Sequence, residues 1–198
     1  MARRLGVHWV RDGWLGACLV AWLGACGPRG SGAELDLTAA GAEPMLEPTR
    51  AIDQEQPVPA FRIRTVAGDV FDSEAFIGER PFMLVYFATW CQVCRMKLPM
   101  VHFVLDRYGA DLAVFGVVMD DRSTWHHVPT YLERYDIDYE LIRAEQFPRF
   151  AAAYSPSGLV PAVTVVDKSG YVVEYQHGYS QRHLASLIRA VTQADEPR

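Results

Sequence analysis

Between Phe61 and Val191 the chain alternates two kinds of apolar pattern. Phe82-Met-Leu-Val-Tyr-Phe-Ala88 is an unbroken apolar run, and so, nearly, is the stretch from Leu112 to Met119. Both predict strands buried on both faces, because a strand open to water on one side alternates apolar with polar positions. From Cys94 to Tyr108 the period changes. Met96, Leu98, Val101, Val104 and Leu105 follow roughly helical spacing, with Gly109 as a stop and Pro99 as a kink. A further strand is predicted at Phe61 to Thr65, ahead of a turn at Gly68-Asp69. After Asp120-Asp121 a helix-like stretch ends near Tyr135, a short strand covers Tyr139 to Ile142, and a helix covers Glu145 to Tyr154. Pro129 and Pro148 fall inside these two helical stretches and conflict with their boundaries. Ala162 to Asp167 and Tyr171 to Tyr175 flank Lys168-Ser-Gly170 as a hairpin, and Gln181 to Val191 reads as a closing helix. Strands that alternate with helices and end in a hairpin imply an α/β class, with a mixed central sheet flanked by helices on both faces.

The pattern before Phe61 is different in kind. Met1 to Arg11 carries Arg3, Arg4 and Arg11, and an apolar run follows from Trp14 to Ala25. This is a basic segment and a short hydrophobic one, the layout of an export signal over residues 1–25. About a dozen apolar residues fall short of the roughly 20 that span a bilayer as a helix. Leu23-Gly24-Ala25-Cys26 resembles the lipobox of bacterial lipoproteins, which implies a mature chain beginning at a lipidated Cys26. Leu15-Gly16-Ala17-Cys18 repeats the same four residues, but Arg11 and Asp12 leave it almost no hydrophobic segment. Residues 26–58 are rich in Gly, Ala, Pro, Glu and Thr, the composition of a disordered tether. About 30 such residues have a root-mean-square span near 30 Å, enough to hold a domain clear of a membrane. The expected organisation is therefore signal, tether, one domain over residues 59–194, and a tail over 195–198.

Composition narrows the partners. A chain of 198 residues, half of them apolar, accommodates one well-buried domain. The formal charge of −5 is mixed along the sequence without a basic stripe, so nucleic acid is not the expected partner. The four cysteines form two groups, Cys18 with Cys26 and Cys91 with Cys94. A bridge between residues three apart closes too small a loop to constrain the unfolded chain much, so the second pair reads as chemical rather than structural.

That pair lies in Phe87-Ala-Thr-Trp90-Cys91-Gln92-Val93-Cys94-Arg95, where a buried strand gives way to a helix. A thiolate at a helix N-terminus faces unpaired N–H groups and the positive end of the helix dipole, which lowers its pKa from about 8.5 to between roughly 3.5 and 7.5. Cys91 is the expected nucleophile. Cys94, one turn deeper, is the expected resolving thiol, which attacks the mixed disulfide formed with a substrate. No second cysteine pair and no matching histidine spacing completes a zinc site, and no bound cofactor is expected beyond the redox-active disulfide itself.

Together with its surroundings the segment resembles the TlpA/ResA-type branch of the thioredoxin-like proteins, within the wider AhpC/TSA-redoxin superfamily. The resemblance covers roughly Pro59 to Val191 and is supported by Trp90, by Pro99 five residues after Cys94, by Val160-Pro161, and by Asp167-Lys-Ser-Gly170. It implies a thioredoxin-like fold and a cis Pro161 facing the disulfide, with Val160 offering a backbone edge to an extended substrate. It also implies thiol-disulfide exchange on the outer side of the cell membrane, with protein thiols and disulfides as substrates and a membrane electron donor upstream. Several such relatives keep the haem-binding cysteines of apocytochromes c reduced, and a monomer is expected. Two positions depart from the pattern. Thioredoxins place a buried Asp six residues before the first cysteine, where this chain has Val85, and many TlpA/ResA-like proteins place a Glu three residues after the second, where it has Lys97. Neither proton shuttle is present, and a charged Lys97 near the pair would favour thiolates. Gln92-Val93 also lacks the proline common before the second cysteine.

Other residues carry plainer expectations. His126-His127 near Asp120 and Asp121 read as surface residues near a helix start rather than metal ligands, and His177 as a polar turn residue. The rivals to a reductase are an oxidase or isomerase, and a copper-binding or other metal chaperone using the same two cysteines. A peroxidase requires a Pro-x-x-x-Thr/Ser-x-x-Cys arrangement that neither Cys91 nor Cys94 has.

Overall fold

The structure is a computed structural model and describes residues 56–155 and 157–195. The expected signal segment, Cys18, Cys26, most of the tether and the last three residues lie outside the described residues. In chain order the elements are β1 (Arg62–Arg64), β2 (Val70–Asp72), β3 (Phe82–Phe87), α1 (Gln92–Tyr108), β4 (Ala113–Val118), α2 (Val128–Arg134), β5 (Glu140–Arg143), α3 (Pro148–Tyr154), β6 (Ala162–Val166), β7 (Val172–His177) and α4 (Arg182–Ala194). Short 3-10 turns occupy Ser73–Phe76, Trp125–His127 and Ala144–Gln146.

Five strands form one mixed sheet in the order β5-β4-β3-β6-β7. β3 lies at its centre, parallel to β4 and antiparallel to β6. A parallel pair cannot be joined by a tight turn. The β3 to β4 connection accordingly carries α1, and the β4 to β5 connection carries α2. β6 and β7 are antiparallel and need only the short turn at Asp167–Tyr171, where the Asp167 carboxylate accepts the N–H groups of Ser169 and Tyr171, both at 2.9 Å. Gly170 takes a φ of 82° there, a conformation that side chains disfavour.

The two apolar runs became β3 and β4, each buried along its whole length. Alternation sends Phe82, Leu84 and Tyr86 to one face, with Ala113, Phe115 and Val117, where they meet Phe61, Phe71, Phe150 and Tyr154. Met83, Val85, Val114, Val163 and Val165 go to the other face and pack on Val101 and Val104 of α1 and Leu187 and Val191 of α4. Each such side chain, fully buried, stabilises the fold by about 1.5–3 kcal/mol. A third cluster gathers Phe87, Cys91, Cys94 and Leu98 with Val118, Tyr131 and Leu141 at the C-terminal end of β3 and β4.

Three differences from the sequence pattern have physical causes. Pro129 and Pro148 do not break helices. They sit in the first turns of α2 and α3, where a missing N–H is tolerated. β2 and the 3-10 turn after it were missed, because a three-residue strand with only Phe71 buried leaves almost no periodicity. Within α1, Met96 is 54% exposed and Lys97 takes the inward position on the stripe of Cys94, Leu98 and Val101.

Candidate active site

The turn from β3 into α1 is held from β4. Beyond Phe87 the chain passes through Ala88, Thr89 and Trp90 to Cys91, which caps α1. The N–H of Thr89 donates to one carboxylate oxygen of Asp120 at 2.8 Å, and its hydroxyl donates to the other. Asp120 is fully buried just past the end of β4. The Met119 N–H donates to the Phe87 carbonyl at 2.8 Å, and the Cys91 N–H to the Ala88 carbonyl at 3.1 Å. The position of the cysteine turn therefore depends on a carboxylate 31 residues further along the chain.

Cys91 and Cys94 form a disulfide, with their Cα atoms 5.3 Å apart. The Cys91 Sγ accepts the N–H of Cys94 at 3.1 Å, so the sulfur itself caps the helix. This is the electropositive setting that favours a thiolate when the bond opens. Cys91 keeps 6% exposure and Cys94 only 1%, the outer and inner positions expected of an attacking and a resolving thiol. Around them Trp90, Gln92, Val93 and Met96 are exposed. Opposite, the Val160–Pro161 peptide is cis, and Val160 packs against the cluster that contains both cysteines. A cavity of about 400 Å³ opens beside the turn, lined among others by Thr89, Trp90, Arg95, Tyr131 and Arg134. Tyr131 stacks on Phe87 with ring centres 5.6 Å apart, and burial, reinforced by Tyr135, pushes its phenol up to about 12.

The inner side of the pair is polar in one place. Lys97, one turn beyond Cys94, is 2% exposed. Its Nζ donates to the Gly178 carbonyl at 3.1 Å and lies 3.4 Å from Nδ1 of His183. Gly178 in turn donates its N–H to the Pro161 carbonyl at 2.8 Å. A chain of direct contacts thus joins the cysteine helix to the cis-proline loop. Burial draws the Lys97 ammonium down from 10.5 to about 8, against an opposing pull from Glu174. His183 is also lowered, first by burial and then by the Lys97 charge.

The redoxin family pattern matches residues 53–192, a span that contains the sheet, both cysteines and the cis-proline loop. The chain belongs to the redoxin family. This redoxin has the thioredoxin-like fold, and it resembles a crystal structure of a thiol:disulfide interchange protein of the thioredoxin family from Chlorobium tepidum TLS, 25% identical with a TM-score of 0.57, over 76% of this chain and 99% of that one. Thiol:disulfide interchange protein DsbE of Yersinia pestis is 31% identical over 115 residues, 53% of this chain and 58% of that protein. Thioredoxin-like protein YneN of Bacillus subtilis (strain 168) is 25% identical over 92 residues, 46% of this chain and 54% of that protein. The chain spans about half the length of the curated relatives it matches.

The structure brings Trp90, Cys91, Gln92, Val93, Cys94 and Val160-Pro161 to one end of the sheet. Cys26 lies outside the described residues. Among the described residues no group of three or more His, Cys, Asp or Glu side chains converges as a metal site, and Asp121 instead accepts the N–H groups of Ser123 and Thr124. Sequence reasoning missed the Asp120 clamp and the Lys97–His183 contact. The second had a signal, since Lys97 falls in step with Cys94, Leu98 and Val101 where a core residue belongs.

Proposed function

We propose that this redoxin is a thiol-disulfide oxidoreductase of the TlpA/ResA type, anchored to the outer side of a cell membrane through Cys26, that reduces disulfides of other proteins. The observation that carries the reading is the Cys91–Cys94 disulfide seated on a helix N-terminus, with the Cys91 Sγ taking the Cys94 N–H. In the reduced state the Cys91 thiolate attacks a partner disulfide. A Cys91–partner bond forms and the partner's own S–S bond breaks, releasing one partner thiolate. Cys94 then loses its proton and attacks the Cys91 sulfur, which closes the internal disulfide and releases the second partner thiolate. Two electrons leave the dithiol and two partner sulfurs gain them.

Exposed Trp90, Val93, Met96 and Leu159 supply an apolar rim suited to a polypeptide rather than a small thiol. The cis peptide at Pro161 leaves Val160 as a candidate backbone edge for an extended segment. The likeness to thiol:disulfide interchange proteins supports the exchange chemistry, and apocytochrome c is a substrate class that the TlpA/ResA resemblance implies. The test is a trapping experiment. Cys94→Ser is expected to accumulate a covalent adduct between Cys91 and its natural partner, and Cys91→Ser to form none. Adducts that form only through Cys94 would reverse the two roles.

A further inference from the structure

The exchange cycle needs Cys94 to give up a proton in a site where it is 1% exposed, and the ionisable side chain one turn further along the same buried face is Lys97. We propose that Lys97 and His183 form the proton path of Cys94, Lys97 taking the thiol proton as the disulfide closes and His183 passing it to solvent. This inference rests on the reading of Cys91 and Cys94 as an exchange dithiol.

Geometry carries it. Cys94 and Lys97 are three residues apart on the buried face of α1, a spacing that sets Cβ atoms about 5–6 Å apart. A lysine with 2% exposure normally has a carboxylate partner. Among the described residues Lys97 has no carboxylate within ion-pair distance, and its Nζ meets only the Gly178 carbonyl and Nδ1 of His183. His183 is half-buried at the start of α4 and reaches the surface. Burial therefore falls along a line from Cys94 through Lys97 to His183 and water.

The groups facing this line are few. β7 contributes Glu174, whose carboxylate accepts from Gln176, and His177, while α4 contributes His183 itself. Glu174 favours the charged lysine, but desolvation outweighs it and brings Lys97 to about 8, close enough to neutrality to be an amine part of the time. His183 is held below its ordinary value, which favours the neutral ring, and with its proton on Nε2 the Nδ1 accepts from Lys97. The step balances. The Cys94 S–H proton moves to the Lys97 amine, and the thiolate attacks the Cys91 sulfur of the mixed disulfide. The Cys91–partner bond breaks, and the released partner thiolate takes a proton from water. The Lys97 ammonium hands its proton to Nδ1 of His183, and the imidazolium loses it to solvent. Reduction of the disulfide runs the path in reverse.

The test follows disulfide closure in the reduced full chain after mixing with oxidised glutathione, between pH 6 and 10. The unaltered chain should show an inflection in closure rate near pH 8. Lys97→Met should close about tenfold or more slowly at pH 7, a loss larger than any change in its rate of Cys91 alkylation, and lose that inflection. His183→Ala should also close slowly at pH 7 and be restored by added imidazole, a rescue that a packing defect would not show. The His183 variant carries the test alone if Lys97→Met does not fold. Superimposable closure profiles for Lys97→Met and the unaltered chain would overturn the proposal, as would a His183→Ala variant that closes normally or ignores imidazole. Failure of the unaltered chain to form the Cys91–Cys94 disulfide at any pH, together with no glutathione adduct on Cys94→Ser, would instead overturn the exchange reading, and the proton path with it.

Discussion

Cys91 and Cys94 are three residues apart, yet the helix gives them opposite surroundings: one sulfur caps the N-terminus and the other faces the core. Lys97 extends the inner side of that asymmetry and has a consequence for stability. Its folded pKa of about 8 lies below the unfolded value near 10.5, so between those two values the unfolded chain binds more protons. Stability contributed by this group therefore rises as pH increases from about 8 to 10.5, and is at its lowest below pH 8, where the buried amine is charged. Lys97→Met removes the titration. The stability of the variant relative to the unaltered, disulfide-bonded chain should fall by on the order of 3 kcal/mol between pH 7.5 and 10.5, the energy of a shift of this size. Urea unfolding at the two pH values checks it, and an unchanged difference would show that Lys97 titrates as an exposed lysine does.

At the scale of elements, the site depends on how closely β4 approaches its neighbours. A Cβ added at Gly116 would lie 2.7 Å from Leu141 Cδ2, 2.8 Å from Tyr139 Cε2 and 2.9 Å from Phe87 Cε1. Phe87 and Leu141 are buried core residues and Tyr139 packs on the same cluster, so none of these atoms moves freely. Gly116→Ala is expected to destabilise the domain by about 1–3 kcal/mol in urea unfolding, despite the better strand propensity of alanine. A neutral result would show that the Phe87 end of β3 has slack. The order of elements was legible from the chain because unbroken apolar runs at Phe82 and Leu112 admit few readings, and the change of period at Cys94 marked α1. What was not legible came from tertiary contacts. Asp120 holds Thr89 across 31 residues, and β2 is held through the packing of Phe71 rather than marked by pattern. Lys97 was seen in sequence but read as a charge, since its burial depends on α4 and the Gly178 turn closing over it.

At the scale of the whole molecule, the redoxin match covers residues 53–192, and the proposed anchor lies ahead of it. The Leu23-Gly-Ala-Cys26 segment is what supports the proposed anchor. Cys26→Ser is expected to move the protein from the membrane fraction to the soluble one, or to leave an unprocessed precursor. Mass spectrometry that finds an unmodified Cys26 inside a longer mature chain would remove the anchor from the account. Among the described residues no helix is long and apolar enough to cross a membrane. The proposed tether and the apolar rim around the disulfide would together suit transfer of electrons from a membrane donor to protein substrates. That direction of flow is the central claim, and the equilibrium potential of the Cys91–Cys94 pair against glutathione tests it most directly. A reductase predicts a value near the −270 mV of thioredoxin, while a value of about −120 mV would contradict it and make the protein an oxidant.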